Sequence, residues 1–125
     1  MKVKLSRTDI YIPNWNGNRS LPDSEQVKVE YRFMTCEEEE RFSLVRPRYN
    51  MVEGKASEVE IDYKTFANDI WKTCVKKVSG LYDEAGTEIT EPKKVADIPG
   101  MYSLVTEVVA EIKRGLTEAD LKNSV

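Results

Sequence analysis

Residues 57–81 hold the longest periodic stretch of the chain and constrain its fold most. Ser57 and Glu60 have capping-box spacing. Val59, Tyr63, Phe66, Ile70, Cys74 and Val78 then recur at gaps of three and four, and Ala67, Trp71 and Val75 widen the stripe. On a helix these positions form one continuous apolar face. Gly80 supplies a residue tolerant of positive φ after the last turn, and Leu81 an apolar contact back onto it. The spacing predicts a helix over roughly 58–79. It is read as the central core helix, because helices of this length gain most of their stability from a packed face.

The strongest strand signal lies upstream. In Val27-Lys28-Val29-Glu30-Tyr31-Arg32-Phe33, apolar and charged residues alternate, which predicts a sheet with one covered and one wet face. The segment 9–12 is expected to pair with it antiparallel, across a loop over 13–24 that contains the turn pair Asn16-Gly17. Residues 2–5 alternate weakly and are read as a first strand. Trp15 sits among turn formers, either folded onto the core edge or open as a contact residue.

Thr35 and Glu38 repeat the capping-box spacing, so a helix is expected from there until Pro47 disfavours it near Arg46. The run Glu37–Glu40 then lies where a helix dipole favours negative charge. Residues 46–56 read as a kinked basic segment and a turn, and 82–92 as a small hairpin or irregular loop around Gly86. Asp97 and Pro99 suggest the start of another helix, with an apolar stripe of Met101, Leu104, Val105, Val108, Val109 and Ile112. Glu107 and Glu111 fall on its other side, and Gly115 ends it with Leu116 packing back. Thr117 offers a cap for a short turn through Leu121.

With 125 residues the chain fits one domain, 1–125, comprising a β-rich part over 1–34 and a mainly helical part over 35–125. The expected class is α+β: a small N-terminal antiparallel β-sheet or hairpin packed with a C-terminal bundle of about three to four helices. Two cysteines are too few for a disulfide framework. The N-terminus has no signal-peptide core and every apolar run is broken by charge, so a cytoplasmic location and no membrane partner are expected. The net charge of −3 argues against a nonspecific nucleic-acid binder.

The residues offer little chemistry. The chain has no histidine, the usual general base near neutral pH and the commonest metal ligand. The glycines form no phosphate cradle, the cysteines no Cys-x-x-Cys pair, and the acidic residues no EF-hand spacing. No catalytic, cofactor-binding or metal-binding residue is assigned, and the expectation is a non-enzyme without cofactors.

The order of the segments adds a resemblance. Ile12-Pro13-x-Trp15 is followed by a strand, by Thr35-x-x-Glu38-x-x-x-Phe42, and by Cys74-Val75-Lys76-Lys77-Val78-Ser79-Gly80-Leu81. Asp83-Glu84-Ala85-Gly86, a helix, and Gly115-Leu116-Thr117-Glu118 complete it. This arrangement, from about Ile10 to Leu121, resembles the tail assembly chaperones of long-tailed phages and prophages. The resemblance implies a non-catalytic protein that binds the tape-measure protein, helps recruit tail-tube subunits, acts in the host cytoplasm and is absent from the mature virion. A homo-oligomer stays open. A chaperone of apolar helices needs an apolar surface. The expected protein-binding residues are Met101, Leu104, Val108, Ile112 and Leu116, with Trp15. The competing readings are a structural tail-completion or tail-terminator subunit, and a small nucleic-acid-binding regulator using Arg41, Arg46 and Arg48.

Overall fold

A computed structural model describes residues 2–42, 47–52, 55–61 and 66–116. The fold is α+β, with a three-stranded antiparallel sheet and several helices. Its residues divide into two compact units, one formed by the chain up to Met34 together with the chain from Ala67 on, the other by Thr35–Phe66.

In the first unit, strands β1 (Asp9–Tyr11), β2 (Lys28–Tyr31) and β5 (Val75–Ser79) form a sheet in the order β1-β2-β5, antiparallel throughout. The alternation in β2 works as its pattern predicts. Val27, Val29 and Tyr31 are buried, while Lys28 and Glu30 keep contact with solvent. The expected pairing of 9–12 with this strand is present, with Ile10 opposite Glu30. Residues 2–5 are exposed and form no strand; their short alternation includes only two apolar side chains. Between β1 and β2 run two 3-10 turns, Trp15–Ser20 and Asp23–Glu25. Asn16 and Gly17 both take positive φ, as their pairing suggests. Asn18 pins this loop from within. Its Nδ2 donates to the Pro13 and Val27 carbonyls at 2.9 and 3.0 Å, and its Oδ1 accepts from the Val27 amide at 2.7 Å.

Helices α2 (Ala67–Cys74), α3 (Pro92–Ala96) and α4 (Tyr102–Arg114) supply the rest of this unit's core. Ala67, Ile70, Trp71 and Cys74 form the buried stripe of α2, and α4 packs against it. The last helix starts later than its sequence signals indicate. Asp97 caps the C-terminal end of α3, and α4 begins beyond Pro99 and Gly100. It ends at Gly115 as expected, with Lys113 and Arg114 in its last turn. Leu116 is 36% exposed. The turn proposed after Thr117 lies outside the described residues.

The predicted helix over 58–79 is not formed. Residues 55–61 belong to a strand, the helix covers only Ala67–Cys74, and β5 follows it directly. A β-bulge explains the false periodicity. Tyr31 pairs with Val75 and Glu30 with Lys77, so Lys76 is an extra residue. Val75 and Val78 are then both buried at a spacing of three, which mimics a helix. The β-branched valines fit the strand better.

The second unit contains α1 (Cys36–Phe42) and a hairpin of β3 (Pro47–Val52) with β4 (Lys55–Ile61). The capping box of α1 is complete. The Thr35 amide donates to Glu38 Oε1 at 2.9 Å, and the Glu38 amide to Thr35 Oγ1 at 3.3 Å. Ser57 and Glu60, which share that spacing, lie in the strand β4 and not at the start of a helix. The segment read as a basic kink and turn supplies β3 and the first residues of β4. Arg46 lies outside the described residues. Phe42 is buried, and its ring meets that of Phe66 at 5.5 Å.

Candidate interaction surface

Two surfaces of the first unit bear on function: the long helix α4 with the side chains that meet it, and the outer face of the sheet. Four of the expected contact residues on α4 are core residues. Leu104 and Val108 are fully buried, Ile112 is 1% exposed and Met101 8%. The exposed apolar face expected on this helix is therefore not present. The stripe is wide because α4 meets α2 while its adjoining flank receives side chains from the N-terminal half of the chain.

That flank is a polar row spaced at i, i+4, namely Ser103, Glu107 and Glu111. Each member holds an aromatic residue. Trp15 Nε1 donates to Ser103 Oγ at 3.1 Å, Tyr11 Oη to Glu107 Oε2 at 2.7 Å, and Tyr31 Oη to Glu111 Oε1 at 3.3 Å. Glu107 also accepts the Asn14 amide at 2.6 Å, and Arg114 Nη2 donates to Glu111 at 2.8 Å. Trp15 is thus half-buried at the core edge, docked by its indole nitrogen. Sequence spacing reveals Glu107 and Glu111 as a polar flank. Their partners stand 96 and 80 positions away in the chain, so only the fold reveals them.

These contacts set the ionisation of the phenols. Burial raises the Tyr31 hydroxyl well above its ordinary value, with the Glu111 carboxylate adding to it. Burial and the hydrogen bond to Glu107 raise that of Tyr11. Both hydroxyls lose a proton more readily in the unfolded chain, where the ordinary value is 10.0. Their contribution to stability is therefore complete below that pH and lost as pH rises through the folded values. Denaturant unfolding at a series of pH values should show stability falling above about 10. The fall should be shallower in a Tyr11→Phe/Tyr31→Phe double variant, and equal slopes would contradict this assignment.

The outer face of the sheet was not singled out by the sequence as a site, although the β2 alternation predicts it as the wet face. Ile10, Glu30 and Lys77 form one row across it, and Lys28 and Ser79 the next. These five residues line a shallow pocket of about 200 Å³. Ile10 is 66% exposed, and Lys28 is held by Asp23 at 3.0 Å. Beyond the sheet, Asp83 organises a tight turn. Its Oδ1 accepts the amides of Ala85 and Thr87, both at 2.9 Å, and its carbonyl accepts that of Gly86. Asp83 in that turn and Glu38 in the run Glu37–Glu40 are used locally. Among the described residues no group of three or more acidic or cysteine side chains gathers in a way that could hold a metal ion. Among them, too, no helix is long and apolar enough to cross a membrane.

The chain matches no family model, and comparison with curated proteins and with solved structures finds no match either.

Proposed function

We propose that this chain is a tail assembly chaperone of a long-tailed phage or prophage, a non-catalytic protein that binds the tape-measure protein and helps recruit tail-tube subunits. The observation that carries this reading is the order of its segments, from Ile12-Pro13-x-Trp15 through Cys74–Leu81 and Asp83–Gly86 to Gly115-Leu116. Along those segments lie a capped helix at Thr35, a strand ending before Gly80, a turn closed by Asp83, and a last helix ending at Gly115. Its client surface excludes the buried stripe of α4. Trp15, Leu116 and the exposed Ile10 are the apolar side chains offered to a tape-measure helix. Its place of action is the host cytoplasm, and it leaves before the virion is complete.

Co-expression with a phage tape-measure protein from the same genome tests the reading. The expected result is a soluble tape-measure protein retained on the tagged chain, and weaker retention by an Ile10→Asp variant. An insoluble tape-measure protein that is never retained overturns it. Recovery of the chain from purified virions would replace it with the structural tail-completion role.

A further inference from the structure

The unit of Thr35–Phe66 holds the two longest strands of the described chain in a sheet of only two. β3 and β4 pair with each other, and neither pairs with another described strand. Each keeps a line of backbone amides and carbonyls outside the ladder, a template for a further strand. A two-stranded hairpin is at best marginally stable alone in water, whereas three or more strands with an apolar face can stand independently. The register divides the residues between two faces. Tyr49 and Met51 share one with Ala56 and Glu58, and Asn50 and Val52 share the other with Ser57 and Lys55. A bulge leaves Val59 without an opposite residue.

We infer that this hairpin pairs with the same hairpin of a second copy of the chain, β4 edge to β4 edge, antiparallel about Ser57. This inference is independent of the client reading above. β4 suits the role because it contains no proline, while β3 opens on Pro47, which has no amide to donate. Overlap and charge select the register: an axis through Ala56 pairs only Lys55 to Ser57 of β4, and axes nearer its far end bring like charges together. Opposed residues of antiparallel strands share a face, so the two-fold axis passes through a residue and not between two. An axis through Glu58 opposes two glutamates, and one through Val59 opposes Glu58 to Glu60. An axis through Ser57 opposes Ala56 to Glu58 and brings Lys55 to the Val59-Glu60 bulge of the other copy, at both ends of the junction. Opposite charges across strands stabilise the pairing and like charges oppose it. The product is a four-stranded sheet, β3-β4-β4-β3, with both β4 edges closed.

Sedimentation of the full chain and cysteine cross-linking test this in a Cys36→Ser background, which removes the exposed native thiol. The expected mass is twice 14.4 kDa. Two Ser57 positions would stand roughly 4.5–5.5 Å apart between Cα atoms, within disulfide reach. Ser57→Cys should therefore give a covalent dimer under mild copper–phenanthroline oxidation. Two Lys55 positions would lie about 13 Å apart along the junction, so Lys55→Cys should not. Ser57→Pro should give a single-chain mass while far-UV circular dichroism still reports the helices. A single-chain mass at every concentration overturns the inference, and so does a dimer that cross-links through Lys55→Cys as fast as through Ser57→Cys.

Discussion

Replacing Trp71 by alanine should lower the stability of the chain by about 3–5 kcal/mol, the range for removing a buried aromatic and leaving a cavity. Trp71 is fully buried on α2, and its Nε1 donates to the Pro92 carbonyl at 2.7 Å, so it joins α2 to the first turn of α3. Nothing smaller fills that volume. Trp71→Phe keeps most of the apolar contact but loses the donor, and should cost less, about 1–3 kcal/mol. Denaturant unfolding followed by circular dichroism measures both. Trp15, the other tryptophan, remains as a fluorescence reporter at the edge of α4. Equal, small shifts for the two variants would mean that this indole is not in the core.

The second large effect is expected at Gly80. Its φ is 86°, a conformation that side chains adopt at a cost, and a Cβ built there collides with the Gln26 carbonyl. The obstacle is backbone leading into β2, which cannot rotate aside as a side chain would. Gly80→Ala should therefore cost about 2–4 kcal/mol from the strained φ and the overlap together. Gly17 separates the two causes. It has φ 71° but nothing within 4 Å of its built Cβ. Gly17→Ala should cost about 1 kcal/mol, the backbone part alone. If the two variants unfold at the same denaturant concentration, the close approach of Gly80 to Gln26 is not real.

What could be read from the sequence was local. The β2 alternation, the Thr35–Glu38 box, the Asn16-Gly17 turn and the apolar stripe of the last helix each depend on neighbours within a few positions, and each is formed. The central helix failed because a bulge at Lys76 gives a strand the spacing of a helix. A signal against it existed, since Glu58-Val59-Glu60-Ile61 alternates at a period of two. The proposed contact face failed for a different reason. The width of a helix's apolar stripe shows how much of it is covered, not by what. On α4 the cover is this chain's own α2 and core, so only Leu116 and Trp15 of the expected residues keep contact with solvent. Ile10, the most exposed apolar residue of the sheet, is in a strand too short to reveal its outward face by pattern.

The row Ser103–Glu107–Glu111 also has a consequence for synthesis. Tyr11, Trp15 and Tyr31 leave the ribosome long before the helix that receives them, and β2 waits for β5 to complete the sheet. A nascent chain that stops short of Tyr102 has no acceptor for these three groups and no α4 to pack against α2. Its apolar surface stays open to aggregation or to a holding factor until α4 emerges. Native structure in this unit therefore waits until Tyr102–Arg114 has left the ribosome, when the two distant parts of the polypeptide first coexist.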